Sequence, residues 1–251
     1  MPFNVGGNIL TNTQVNIYNG STIVRSGLVL YLDAGIANSY AGSGTTWTDL
    51  SGNAYNATLV NGPTYTASNG GAIVFDDTND YIEVLSNGNV ANFTVQSYTI
   101  ETICYPTIDP DTNEGVLWSY DYTSHNSPYY SQHLRLGGSG GVSDEIGFFW
   151  NDGSSYRGIE VNNAIPTLNR WYYIAATYTS GYQAVYINGS LANSSVRTDT
   201  ISYYNQPIWI SRANFGGYFG GNIAITRFYN RALSSAEVLQ NFNANRGRFG
   251  I

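Results

Sequence analysis

RWYYIAATYTSGYQAVYINGS, residues Arg170–Ser190, decides the fold. It holds two strand-length runs, Tyr172–Thr179 and Gln183–Ile187, built largely from residues that suit a pleated, half-buried surface. Asn188-Gly189 then falls between Val185–Ile187 and Leu191. That dipeptide accepts the positive φ angles of a tight hairpin, so the chain is expected to fold back on itself there.

Outward from this hairpin, short apolar runs parted by Gly, Asn, Asp and Ser continue in both directions. Strands are expected at Leu28–Asp33, Ala72–Phe75, Tyr81–Leu85, Tyr98–Tyr105, Val116–Tyr120, His133–Leu136, Glu145–Trp150, Ile208–Ser211 and Ile223–Tyr229. The pattern is that of an all-β sandwich, and 251 residues suit one such domain. One helix is signalled in RALSSAEVLQNF, where Ser234 and Glu237 have capping-box spacing and Leu233 and Val238 that of a hydrophobic staple. Val238, Leu239 and Phe242 would form its apolar stripe, and Gly247 its stop. Residues 1–26 differ from the rest. Their strand-sized patches, Gln14–Tyr18 and Thr22–Arg25, read either as the sandwich's first strands or as an arm that pairs with a neighbouring subunit.

Composition narrows the partners. Charged residues make up 11% of the chain, against about 25% in an average domain, and all ten basic residues are arginines. With 42% hydrophobic and 15% aromatic residues the chain is not disordered, so its surface must be neutral and rich in Asn, Ser, Thr, Gly and Tyr. Such a surface suits carbohydrate or close protein contact. A net charge of −7 argues against nucleic acid. MPFNVGGNIL has neither the basic nor the apolar region of a signal peptide, and no apolar run approaches the ~18 residues of a membrane helix. Synthesis in a cytosol is expected. The single Cys104 reads as a small buried hydrophobe.

Six stretches, taken together, resemble the laminin G-like jelly rolls of the concanavalin A-like lectin/glucanase superfamily. They are GLVLYLDAG (Gly27–Gly35), TWTDLSGNAYNATLVNGPTY (Thr46–Tyr65), IVFDDTNDYIEV (Ile73–Val84), YTIETICYP (Tyr98–Pro106), the opening stretch Arg170–Ser190, and GNIAITRFYNRALSSAEVLQNF (Gly221–Phe242). The wording of LYLDAG, DLSGN, NGP and RALSSAEVLQNFNANRGRFGI is similar to the version found in virion proteins of tailed phages. The resemblance implies a jelly-roll body over residues 27–251, two curved antiparallel sheets face to face, closed by a helix. It does not imply one activity, because this sandwich carries lectins, hydrolases and adhesive domains alike.

The resemblance also says which acids to look for. Glucanases of the superfamily place carboxylates on one strand, near E-x-D-x-x-E, since retaining chemistry needs two carboxyls roughly 5–5.5 Å apart. Here Glu83, Glu101, Glu114, Glu145, Glu160 and Glu237 have no acid two residues on, and adjacent Asp144 and Glu145 would face opposite ways. The chain has two histidines, His125 and His133, and no G-x-S-x-G, so no catalytic residue is expected. Relatives that hold a structural calcium often use an acid in a G-x-I-D-E stretch. The matching Gly221-Asn222-Ile223-Ala224-Ile225 lacks both acids. Asp33, Asp49 and Asn53 remain as candidate oxygens, and the Asp76–Asp80 turn reads as self-hydrogen-bonded. No metal or cofactor is expected.

The most site-like region is Trp118–Leu136 with Phe148–Gly158. Tyr120, Tyr122, Tyr129, Tyr130 and Trp150 offer flat faces for a sugar ring, and Asp121, His125, Asn126, Asn151 and Asp152 could bond hydroxyls. The same tyrosines could equally line a protein contact. The function expected is a non-enzymatic phage virion surface protein, a capsid decoration, fibre or tail-associated subunit. Its partners would be other virion proteins, copies of itself (a trimer) and host glycans. The rivals are a cellular carbohydrate-binding or adhesion module and a degenerate glycosidase.

Overall fold

The computed structural model describes residues 22–110, 114–121, 130–138, 145–165 and 167–251. Among these the chain first forms β1 (Leu28–Asp33), β2 (Thr46–Trp47), β3 (Ala57–Val60), β4 (Thr64–Thr66), β5 (Ala72–Asp76) and β6 (Tyr81–Leu85). The middle of the chain supplies β7 (Ser97–Pro106), β8 (Gly115–Tyr120), β9 (Gln132–Leu136), β10 (Ile146–Asn151) and β11 (Tyr156–Val161). Then come β12 (Tyr172–Thr179), β13 (Tyr182–Ile187), β14 (Ser190–Ser195), β15 (Ile208–Ile210), β16 (Gly220–Tyr229) and helix α1 (Ser235–Phe249).

The strands make two antiparallel sheets of eight. One runs β14-β13-β12-β7-β16-β5-β4, with β1 also paired to β16, and α1 lies on its outer face. The other, the far sheet, runs β11-β10-β9-β8-β15-β6-β3-β2. All eleven expected strands are present. The five that the sequence hid are β2, β3, β4, β11 and β14. β14 (SLANSS) has no buried residue and pairs only with β13, so an edge strand left no apolar alternation to read. The Asn188-Gly189 hairpin forms as expected, with φ of 49° and 76°.

Alternation along each strand sends one set of side chains into the sandwich. Ile146, Phe148 and Trp150 of β10 face inward, as do Tyr98 and Ile100 of β7 and Phe228 of β16. Tyr98 and Trp118 lie nearly parallel to Phe228, with centroids 5.8 and 5.4 Å away, and join the sheets across the core. Cys104 is a fully buried free thiol whose pKa burial pushes up.

Helix α1 begins as its sequence specifies. Ser234 accepts from the Glu237 backbone N–H, and the Glu237 carboxylate accepts from the Ser234 backbone N–H. Leu233 and Val238 are both buried beneath it. Two details correct the sequence reading. Leu239 is 45% exposed, so the buried stripe is Val238, Phe242 and Phe249. Gly247 lies inside the helix, and the left-handed cap is Gly250, with φ 69°. Arg248 holds this end down: it pairs with buried Asp33 at 2.6 Å and donates to the carbonyls of Asn69, Gly70 and Gly71.

Under the helix lies a buried polar network. Arg227 (β16) donates to Glu101 (β7) at 3.1 Å and to Asn245, and its guanidinium sits 4.7 Å from the Tyr31 ring. The other oxygen of Glu101 accepts from Tyr173 and Asn241. Asn241 also accepts from the backbone N–H of Val24, and Tyr229 donates to the Val24 carbonyl. Residues 22–25 therefore form no strand and dock on α1 of the same chain. Gln14–Tyr18 lies outside the described residues. No helix among the described residues is long and apolar enough to cross a membrane.

Candidate functional site

The strand phase sorts the expected site residues. Trp150 shares the inward phase of Ile146 and Phe148, and its ring packs 4.5 Å from Tyr178 inside the core. Tyr120 also points inward, 5.4 Å from Tyr203, where burial pushes its phenol up to about 12. Neither offers the stacking face expected of it, because both are fully buried between the sheets. Asn151 is buried too. Its amide donates to the Tyr130 carbonyl at 2.6 Å and its oxygen accepts from Gly153, which fixes the turn after β10.

Asp152 continues that turn, accepting from Ser154 and Ser155 and pairing with Arg157 at 2.8 Å. Burial would raise its pKa, but these hydrogen bonds outweigh it and hold the carboxyl well below the usual range. Asp121 is buried and accepts from the backbone N–H of Asn214. Tyr130 lies on the outer face of the far sheet, its ring 3.9 Å edge-on to His133, and of the expected set Asn151 and Asp121 lie beside it. Tyr122, His125, Asn126 and Tyr129 lie outside the described residues. The structure thus separates Tyr120 and Trp150 from the group and leaves Tyr130 beside residues the sequence reading passed over.

Those residues form the outer face of the far sheet. Phe149 leaves β10 in the outward phase, opposite Gly158 of β11. A Cβ on Gly158 would lie 2.2 Å from the Phe149 ring and one on Gly147 2.3 Å from it. The two glycines therefore let the ring lie flat on the sheet. Tyr156 stacks on it at 4.6 Å, and the Arg135 guanidinium sits 5.0 Å from its centroid.

Arg135 is the centre of the charge. It stands in register with Gly147 of β10, which faces Glu160 of β11, so the small middle residue lets both long side chains meet. Three carboxylates share its guanidinium: Glu145 at 2.9 Å, Glu160 at 3.5 Å and Glu114 at 3.6 Å. Arg135 and Glu145 are nearly buried, while the Glu160 side chain is half exposed. Burial raises the Glu114 and Glu145 pKa values. Arg135 opposes that, and the neighbouring glutamates add to it. No single strand carries this cluster, which is why residue spacing did not reveal it. Alternation would have found part of it, since His133 and Arg135 both sit out of phase with Leu134 and Leu136 in QHLRL.

Three acids read as candidate calcium oxygens or turn residues already have partners. Asp33 pairs with Arg248 and accepts from Tyr31 and Gly35. Asp49 accepts from Tyr31, Ser51 and Tyr55. Asp76 accepts from the N–H groups of Thr78 and Asn79, the self-bonded turn read from the sequence. A β-bulge in β16 places Ala224 and Ile225 together in the apolar cluster under α1.

A profile described as "Concanavalin A-like lectin/glucanases superfamily" (the third laminin G type) matches residues 76–239. No curated protein matches the chain in sequence. Among solved structures, it is similar to domain 4 of AbnA, an extracellular arabinanase from Geobacillus stearothermophilus in complex with arabinotriose. That likeness has a TM-score of 0.62 at 18% identity and covers 86% of this chain and 98% of that one. The binding domain of Paraclostridial Mosquitocidal Protein 1 gives 0.64 at 18%, covering 88% and 52%. The binding domain of botulinum neurotoxin DC, in complex with rat synaptotagmin II, gives 0.65 at 14%, covering 88% and 52%. The chain spans about half of each toxin domain. At these identities the likeness establishes the sandwich itself.

Proposed function

We propose, from the premise that this chain belongs to the concanavalin A-like lectin/glucanases superfamily, that it is a non-catalytic binding module on a phage virion surface. The observation that carries the binding role is the outer face of the far sheet, where the Phe149–Tyr156 stack adjoins three carboxylates gathered on one arginine. A retaining glycosidase needs two carboxyls free to flank a glycosidic oxygen. Here the carboxyls share a guanidinium instead. Phe149 is itself buried, so the half-buried Tyr156 stacked on it and the half-exposed Glu160 are what this face offers a partner.

The virion setting rests on sequence features: the phage-like wording and the low charge without lysine. Its partners would be other virion proteins, further copies of this chain in a trimer, and host glycans. A second reading, a cellular carbohydrate-binding module, is favoured by the likeness to an arabinanase domain solved with arabinotriose.

Three measurements test these readings. Antibody labelling of imaged virions should decorate the particle, and unlabelled particles would favour the cellular reading. Light scattering should find an oligomer; a monomer in solution would remove the trimer. Incubation with β-glucans and arabinans should release no reducing sugar. Turnover lost on a single Glu→Gln change would overturn the non-catalytic assignment.

A further inference from the structure

The sheet under α1 carries a cleft that the far-sheet face does not involve. Its floor is one register row. Val74 of β5 faces Asn222 of β16, and Asn222 faces Tyr105 of β7. Trp171, the residue before β12, stands beside Tyr105 with centroids 5.2 Å apart. Four adjacent strands at ordinary spacing make this row roughly 14 Å long. All of these side chains have the phase that points away from the sandwich core. Thr66, Ser68 and Asn69 form the opposite wall, and the cavity is about 460 Å³. That is the size of a small-ligand pocket, roughly 300–1,000 Å³.

The walls are held from outside the cleft. Trp171 rests on Phe249 of α1 at 4.7 Å, and Arg248 bonds the carbonyls of Asn69, Gly70 and Gly71 behind the other wall. The site is thus shaped before any ligand arrives, which lowers the ordering cost of binding.

Its chemistry is selective. No lining residue is charged. Among the described residues, neither the Asn222 amide nor the Tyr105 hydroxyl nor the Trp171 indole N–H hydrogen-bonds to protein, so donors and acceptors remain for a ligand. Tyr105, half-buried and backed by the buried Trp171, lies next to unspent amide and hydroxyl groups and suits a molecule with one apolar face and a rim of hydroxyls. We infer that this cleft binds a short neutral oligosaccharide, stacked on the half-buried Tyr105, which Trp171 backs, and bonded through Asn222, Thr66 and Ser68. The inference does not rest on the far-sheet face and would hold if that face contacted protein alone.

The test titrates the full chain with neutral trisaccharides (arabinotriose, xylotriose, maltotriose and mannotriose), read by saturation-transfer NMR and calorimetry. At least one should bind saturably. Tyr105→Ala and Asn222→Ala should each weaken it roughly tenfold, the effect of losing one aromatic or hydrogen-bonding contact. Phe215→Ala, in the loop between β15 and β16 where its ring lies 6.1 Å from Tyr130 over the far sheet, should leave it unchanged. Tyr105→Phe provides a milder variant if Tyr105→Ala fails to fold, and its loss of affinity should be smaller. No saturable binding by any of the four would overturn the inference. Binding lost in Phe215→Ala and kept in Tyr105→Ala would overturn it too, while assigning sugar recognition to the far sheet.

Discussion

The two outer faces of the sandwich treat buried charge in opposite ways. Beneath α1, one glutamate meets one arginine, and Tyr173, Asn241 and Asn245 supply further hydrogen bonds to the pair. On the far sheet, three glutamates meet one arginine, and both Glu114 and Glu145 are pushed toward their protonated forms. Charge matched one to one and covered by a helix fixes how that helix docks. Charge in excess, beside a flat aromatic stack, stabilises less, because burial and the neighbouring glutamates oppose its ionisation. The first arrangement fixes a helix on its sheet, and the second leaves one half-exposed carboxylate, Glu160, at the surface.

Breaking the matched pair should have the largest effect. Glu101→Ala or Arg227→Met leaves a buried charge alone and should cost about 3–5 kcal/mol in urea unfolding, with α1 and residues 22–25 loosened together. The double change Glu101→Ala with Arg227→Met should cost less than the two single losses added together. Strict additivity of the two would show that the pair is not coupled.

Next comes the flat surface of the far sheet. Gly158→Ala places a Cβ against the Phe149 ring and should cost roughly 1–3 kcal/mol through overpacking. It should also lift Tyr156 off its stack, visible as a change in near-UV circular dichroism. An unchanged melting temperature would mean that the ring has room to move.

The smallest effects carry opposite signs with pH, and so sharpen the contrast. Arg231 holds Glu237 down to about 2. Its contribution is therefore complete above the ordinary glutamate pKa and lost as pH falls toward 2. Glu237→Gln should be destabilising at pH 7, by an amount that shrinks in acid. Glu114 is raised, so its ionised form opposes folding once pH climbs past its folded pKa, and that penalty is absent in acid. Glu114→Gln should slightly raise the melting temperature at pH 7 and not at pH 4. A loss at pH 7 would make the three-glutamate cluster a stabilising device after all.

Most of the fold was legible because buried strands and a capped helix write their signals locally: the apolar run Tyr172–Thr179, Ser234 with Glu237, Asn188-Gly189. β11 and β14 were not, since Gly158 interrupts one and the other buries nothing. The site was harder. Tyrosine is a plausible sugar platform anywhere, but only phase tells that Trp150 follows Ile146 and Phe148 into the core. Glu114, Glu145 and Glu160 converge only through the register of β8 to β11, a long-range property that spacing does not encode. The row Val74–Asn222–Tyr105–Trp171 has the same origin.

The place of β16 has a consequence for synthesis. It pairs along one side with β7 and along the other with both β5 and β1. Three strands made early thus wait for one made late, so half of the sandwich cannot zip up while the nascent chain is still short of Gly220. Until then their unpaired backbone groups and apolar sides stand open to other chains on the same polysome. A ribosome-stalled chain ending before Gly220 should be cut by protease throughout β1, β5 and β7. One stalled after α1 has cleared the exit tunnel should resist, and early resistance would mean those strands find a temporary partner.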